Sequence, residues 1–377
     1  MADASHESAF PAGLRIQRVR TMNGNAVKEN HMGAGKTTPE IYGNSISVAS
    51  PLSEAGLPDH DSLRAGLESV LEAQGLLDGE LAIQAREKNT YTSTFPSEIV
   101  TCRVGSGPEI RVFLKYSAHR LNEAYGHRGG VGYEANVYRQ LLNSLDISIA
   151  KLYGIYRSPD GINTWLAMEY LEEGTRMTHT IDPEAMLKAA RWMGRFHAQC
   201  TTRVSDPALS FLNRYNPDYY RGWVSRTRKM VRQAGVDSEW LRSVCSRIDE
   251  VIEVLCNSPP TIIHGEYYPK NILLQHGLIY PVDWESTAIG NGMVDLAMLT
   301  EGWAPDTTWE LVHEYQRSRW PEGAPHDLVT SLYAARIYVQ FRWLGDQLWL
   351  GDKQARFPEW AGYLEALQEH AAVMGLI

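Results

Sequence analysis

"TIIHGEYYPKNILL", residues 261–274, holds a dense run of polar chemistry between two apolar stretches. Ile262 and Ile263 form a strand-like lead that delivers His264, Gly265 and Glu266; a short polar turn follows, Asn271 closes it, and apolar residues resume at Ile272. The spacing leaves room for a turn that points the Glu266 carboxylate and the Asn271 amide oxygen inward together. A second stretch, "LIYPVDWE" (278–285), runs strand-like into Asp283. Asn271 and Asp283 are hard oxygen donors of the kind Mg2+ takes, since that ion is usually held by one or two carboxylates together with substrate phosphates. Alone, Asp283 fits an ordinary strand end, and the reading depends on both stretches occurring together.

Upstream, "IRVFLKY" (110–116) places Lys115 near the end of an otherwise apolar strand, where its ammonium can reach a phosphate. Glu134 opens the next helical segment and is spaced to hold that lysine. Taken singly, Lys115 fits a solvated edge residue, and Glu134 fits a charge that complements a helix N-terminus. His264 fits a loop-packing residue better than a proton shuttle, because in phosphoryl transfer the acidic residue handles the hydroxyl.

Composition narrows the partners. A formal charge of -9 in 377 residues argues against a nucleic acid, which demands a concentrated basic face. A neutral or cationic small substrate suits the balance better. Four cysteines, Cys102, Cys200, Cys245 and Cys256, form no CxxC pair, which disfavours zinc and disulfides and points to a reducing cytoplasm. No apolar run approaches the ~20 residues of a membrane helix, and no signal-peptide stretch opens the chain. The expectation is a cytoplasmic protein without nucleic-acid or membrane partners; its oligomeric state is not legible.

Residues 1–58 are rich in Gly, Asn, Ser and Pro and lack periodicity, so they read as a disordered or loosely attached extension. Within them "MGAGKTT" ends like a nucleotide loop, yet Asn30 stands where that motif needs its first Gly, no strand precedes it, and Pro39 interrupts the helix that should follow. An amphipathic helix over 61–74, a hairpin from "YTSTFPSEIVTCRV" and "EIRVFLKY", a helix over 133–145, and strands in "LYGIYRS" and "TWLAMEYL" build a first lobe. Long helical patterns over 183–200, 217–234 and 238–256 begin a second, and helical segments rich in Trp run to the C-terminus. A small strand-rich lobe joined to a large helical one is an α+β, two-lobe architecture. His264-Gly265-Glu266 also matches the H-x-E of zinc deaminases, but their Pro-Cys-x-x-Cys is missing from the sequence.

The order of strand Lys, helix Glu, HGxxxxxN loop and DWE resembles the aminoglycoside phosphotransferase and choline kinase-like family, small-molecule relatives of protein kinases. The resemblance spans about residues 76–350 and includes "RWMGRFHA" (191–198) and "GNGMVDLAML" (290–299). It implies a protein kinase-like fold with a nucleotide-binding lobe over 59–171 and a catalytic and substrate-binding lobe over 172–377. It implies ATP and Mg2+ as cofactors, with Glu266, Asn271 and Asp283 catalytic, Asn271 and Asp283 on the metal, and Lys115 paired with Glu134 on the nucleotide phosphates. An interlobe hinge over Met168, Glu169 and on to Leu171 would meet adenine. Asp295 matches a position that steadies the catalytic loop. The substrate implied is a hydroxyl on an amino sugar, amino alcohol or antibiotic; a peptide Ser or Thr hydroxyl, or a nucleotide-binding pseudokinase with a protein partner, are the alternatives. Two departures stand out. Glu266 replaces the family's Asp, and "KNTYTSTF" (88–95) lacks glycine where a phosphate-covering loop is expected. Acidic residues of the second lobe (Glu301, Asp306, Glu310, Glu314, Asp346, Asp352) and Trp303, Trp309, Trp343 and Trp349 are candidates for a pocket around an ammonium, or for an ordinary acidic surface and core.

Overall fold

The computed structural model describes residues 57–91, 95–117, 128–158, 163–179, 182–236, 238–346 and 357–377. The expectations for 1–56, including "MGAGKTT", and for residues 92–94, Trp349 and Asp352 lie outside them.

The N-terminal region is a five-stranded antiparallel sheet between two helices. In chain order it comprises α1 (His60–Ala73), β1 (Leu81–Lys88), β2 (Ser97–Val104), β3 (Glu109–Tyr116), α2 (Gly130–Gln140), β4 (Leu152–Arg157) and β5 (Thr164–Glu169). The spatial order of the strands is β1-β2-β3-β5-β4. Asp59 starts α1 by accepting the Ser62 N–H at 2.8 Å, which satisfies one of the free amides of the first turn. Leu63, Leu67, Val70 and Leu71, on one face of α1, pack on Val112, Leu114, Tyr116, Trp165 and Ala167 of β3 and β5. Gly66 permits this approach, because a Cβ there would overlap the Trp165 ring. Strand side chains alternate between faces. Phe113, Leu166 and Met168 therefore face the α2 side and join the larger core, and Lys115 points the same way.

The C-terminal region is mainly helical: β6 (Thr175–Arg176), α3 (Pro183–Thr201), β7 (Asn213–Arg214), α4 (Pro217–Gln233), α5 (Glu239–Ser246), α6 (Ile248–Asn257), β8 (Thr261–Ile263), β9 (Ile272–Gln275), β10 (Leu278–Pro281), β11 (Ala288–Gly290), α7 (Met293–Thr300), α8 (Pro305–Arg319), α9 (Leu328–Asp346) and α10 (Phe357–Val373). Two three-stranded sheets, β10-β9-β6 and β7-β11-β8, frame the 261–274 stretch. The core here is wide, running from Met186 and Phe196 of α3 through Trp223 of α4 to Ile337 and Phe341 of α9. No helix among the described residues is long and apolar enough to cross a membrane.

Three elements differ from the sequence reading. The pattern over 238–256 is two helices, broken at Arg247, whose guanidinium bonds Glu250 (2.7 Å) and the Gly375 carbonyl (2.6 Å). The helix read over 133–145 starts at Gly130 and ends at Gln140, before a single 3-10 turn at Leu142–Ser144. β1 is an additional edge strand whose mixed sequence, LAIQAREK, lacks a clean alternation and conceals it; Arg86 on it pairs with the buried Glu98 of β2 at 2.8 Å.

Candidate active site

Because β3 alternates, the Lys115 ammonium is carried under α2, where Glu134 meets it at 2.6 Å. The Asp283 carboxylate takes the same ammonium at 2.6 Å, and Glu285 lies 3.9 Å away. Burial alone would depress this lysine's pKa, but Asp283, Glu134 and Glu285 outweigh it and hold the value well above the ordinary one. The lysine is therefore charged. The other Glu134 oxygen accepts the Trp284 N–H at 3.1 Å, so α2 grips both the lysine and the backbone beside Asp283.

Asp283 follows β10 with φ 69° and ψ 60°, a left-handed conformation that short polar side chains tolerate best among non-glycine residues. The preceding N–H, of Val282, donates to the Asn271 carbonyl at 2.9 Å. Burial opposes ionisation of Asp283, and the adjacent Lys115 overcomes it and lowers the pKa. Its side chain is 31% exposed, whereas those of Glu134, Glu285 and Glu266 are 6% or less. Asp283 is thus the carboxylate of the group that solvent reaches.

The loop from β8 is built on Asp295, in the first turn of α7. One Asp295 oxygen accepts the His264 N–H at 2.7 Å and the other accepts the Gly265 N–H at 2.9 Å. His197 of α3 completes the brace with Nε2 at 3.1 Å from Asp295. Burial pushes the His197 pKa down to about 4, against the pull of the Asp295 bond. Gly265 has φ +80°, and a Cβ there would strike the Ser286 carbonyl; the tight turn requires glycine. The His264 ring is buried, with Nε2 3.1 Å from the Val282 carbonyl, so it ties the loop to the strand that precedes Asp283.

Glu266 is held by two arginines that the sequence reading did not single out. Arg342 of α9 donates to the Gly265 carbonyl and the Glu266 carboxylate, and Arg128, just before α2, meets the same oxygen at 3.0 Å. Arg342 had a legible signal, since a lone charge in "YVQFRWLG" must find a partner once its helix is buried. Arg128 had none. The Asn271 amide Nδ2 donates to the Glu266 carbonyl at 3.0 Å and closes the turn.

Glu266, Asp283 and Glu285 offer oxygens that all lie within 4.8 Å of one another. Octahedral Mg2+ at 2.0–2.1 Å from its ligands spans at most about 4.2 Å between opposite oxygens, so a small contraction would fit the ion. The Glu285 Oε2 atom is buried with no hydrogen-bond partner among the described residues, the Lys115 ammonium lying 3.9 Å from it, so it has a lone pair to offer a cation. Burial, then the neighbouring Asp283, pushes the Glu285 pKa up to about 8. The all-oxygen set suits a hard ion.

The remaining candidates scatter. Met168 is buried within β5, between β3 and β4. Glu169 ends that strand, and its carboxylate accepts the Lys151 N–H at 3.2 Å. Leu171 is buried beyond it, with its carbonyl taken by Gly174. Of the acidic residues, Glu314 is tied to Arg191 and Arg317, Glu301 accepts from Gln340, and Asp306 and Glu310 are exposed on α8. Asp346 is the one set among the Glu266 group, near Arg128 and Arg342. Trp303 and Trp343 pack on the core, with the Trp343 indole donating to the Tyr268 hydroxyl at 2.8 Å, and Trp309 is exposed.

The fold matches aminoglycoside 2'-phosphotransferase-IIIa in its GDP complex, with TM-score 0.56 and 17% identity over 82% of this chain and 98% of that one. Amicoumacin kinase hAmiN, solved with AMP-PNP, Ca2+ and Ami, gives TM-score 0.56 and 15% identity over 82% and 96%. A choline/ethanolamine kinase family protein from Mesorhizobium loti gives 0.51 and 14% over 83% and 97%. No curated protein matches the sequence. The sequence model described as "Phosphotransferase enzyme family" matches residues 121–327, which is more than half of the chain and includes Glu134, the Asp295-braced loop and Asp283. The chain belongs to the phosphotransferase enzyme family.

Proposed function

We propose that this protein is an ATP- and Mg2+-dependent phosphotransferase that acts on a hydroxyl of a small molecule such as an amino sugar, an amino alcohol or an antibiotic-like compound. The observation that carries the reading is the Lys115 ammonium held at 2.6 Å by both Glu134 and Asp283, next to the loop that presents Glu266. Phosphoryl transfer asks little covalent chemistry of a protein, and positioning and charge stabilisation do the work. Lys115, fixed from below by Glu134, binds the nucleotide phosphates. Asp283 and the Asn271 amide oxygen, with Glu285 beside them, form the set that would hold Mg2+. When bound, that ion neutralises charge on the phosphoryl oxygens. Glu266 orients the acceptor hydroxyl and takes its proton late, and Arg342 fixes its position. The segment from Met168 to Leu171 borders the adenine. Small-molecule acceptors are supported by relatives of the same fold, one of them solved with GDP and kanamycin.

One observation favours a second reading, a nucleotide-binding pseudokinase. A single Glu266 oxygen takes both Arg342 and Arg128, and a carboxylate so engaged is a weak proton acceptor. A nucleotide-turnover screen over amino sugars, amino alcohols and nucleosides, repeated without Mg2+, separates the two. Metal-dependent turnover with one acceptor class supports the enzyme; nucleotide binding without turnover across the screen supports the pseudokinase.

A further inference from the structure

The reading above leaves Arg128 without a task. Its guanidinium meets Glu266 at 3.0 Å and Glu285 at 3.4 Å. These are two of the three carboxylates whose oxygens cluster within 4.8 Å. The third, Asp283, is held by Lys115. Every member of the cluster therefore has a cation of the chain itself beside it. The Gly129 N–H donates to the Glu285 carbonyl at 2.8 Å, which pins the backbone so that Arg128 stays beside the cluster.

Arg342, the other arginine on Glu266, is built in: its side chain is 1% exposed and it also bonds the Gly265 carbonyl. Arg128 is held differently. Its side chain is 26% exposed, and this exposure is what separates the two, since the Nε of each arginine has no hydrogen-bond acceptor among the described residues. Glu285 Oε2 likewise has no hydrogen-bond partner among the described residues, with the Lys115 ammonium 3.9 Å away. Arg128 donates a hydrogen bond to Glu266 at 3.0 Å, whereas its contact with Glu285 at 3.4 Å is an ion pair without a hydrogen bond, as expected where one cation stands in for another.

We propose that Arg128 is a resident cation that stands at the divalent-metal position beside Glu285, reaching across to Glu266, and must leave when metal loads. The proposal rests on reading Asp283 and Glu285 as the metal carboxylates. A divalent ion and a guanidinium repel each other at such separations, so loading the ion breaks the Arg128 pairs. The displaced guanidinium needs an anion, and nucleotide phosphates are its best acceptors. Metal thus binds weakly to the empty protein and tightly with nucleotide, a coupling that acts equally in both directions.

The test is Mn2+ binding to the full chain, followed by the ion's paramagnetic signal, with and without ADP. In Arg128→Gln without nucleotide, Mn2+ should bind at least about tenfold more tightly than in the wild type, and ADP should enhance that affinity less. Equal affinities in the two proteins, with Asp283→Asn abolishing binding in each, overturn the resident-cation role and leave the metal site standing. Mn2+ binding indifferent to Asp283→Asn removes the site and the proposal together. If Arg128→Gln does not fold, the wild-type protein gives the answer through phenylglyoxal modification mapped by peptide mass. Mg2+ alone, at concentrations shown to displace bound Mn2+ from the wild-type protein, should accelerate labelling of Arg128, and an unchanged or slower rate there overturns the proposal.

Discussion

Arg342 donates to both the Gly265 carbonyl and the Glu266 carboxylate, so one guanidinium from α9 fixes the backbone and the acid of the loop as a unit. Both partners are nearly inaccessible to water. Removing one member of a buried ion pair and stranding the other costs about 3–5 kcal/mol; here Arg128 still meets Glu266 at 3.0 Å, so Arg342→Met should lose stability toward the lower end of that range in denaturant titrations, and adding Glu266→Gln should recover part of it. A loss below about 1 kcal/mol, typical of exposed pairs, would show that the pair does not organise the loop.

Asp283→Asn should leave the fold intact, because Asn also tolerates the left-handed backbone at this position and Glu134 still pairs Lys115. Metal-dependent turnover should fall by about 10² or more. Melting curves without ligand and rates across a Mg2+ series check both halves. A variant that responds to Mg2+ like the parent would remove Asp283 from the metal.

Glu266→Gln keeps the size and removes the proton acceptor, so turnover should drop by about 10² to 10⁴. Glu266→Asp withdraws the carboxylate by roughly 1 Å from Arg342 and the acceptor, and should lose up to about a hundredfold. Steady-state kinetics with an identified acceptor decide. Activity that rises in the Asp variant would mean that Glu266 is not a working catalytic residue.

The depressed pKa of His197, about 4 against an ordinary 6.5, makes stability depend on pH. The folded state favours the neutral ring, so this contribution is present above about pH 6.5 and is lost as pH falls toward 4. Across that window wild-type stability should decline by up to about 1.4 kcal/mol per pH unit from this group. Denaturation of His197→Gln at pH 7 and pH 5 should show a shallower decline; identical slopes would place the dependence elsewhere, with the buried His264 the next group to test.

Strands β2 to β5, the polar loop after β8 and the order of charged residues were readable because each follows a local rule: alternation on β3, a strand running into a polar turn, an Asp at a strand end. Lys115 and Glu134 could be paired in advance, since a strand and the next helix share a face. The break at Arg247 could not, as its partner Gly375 lies at the far end of the chain. Arg128 was equally hidden, because its partners are distant in sequence and nothing in "GHRGGVGYE" marks its neighbours. Asp295 was placed by resemblance alone, and its two loop amides became visible only with the fold. The expected acidic lining scattered for the same reason: composition counts charges and cannot say that Glu314 meets Arg191 while Asp306 and Glu310 stay exposed.

Leu114 and Lys115 are consecutive on β3 yet belong to opposite sides of the sheet, one packed under α1 and the other among the charged groups. The rear of the sheet is therefore a control surface for the front. A change of volume beneath Leu114, at Leu67 or Trp165, would tilt the strand and shift the ammonium without altering any group that meets a ligand. Variation at such positions would act on the Lys115 ammonium from residues that an inspection of the charged face would pass over.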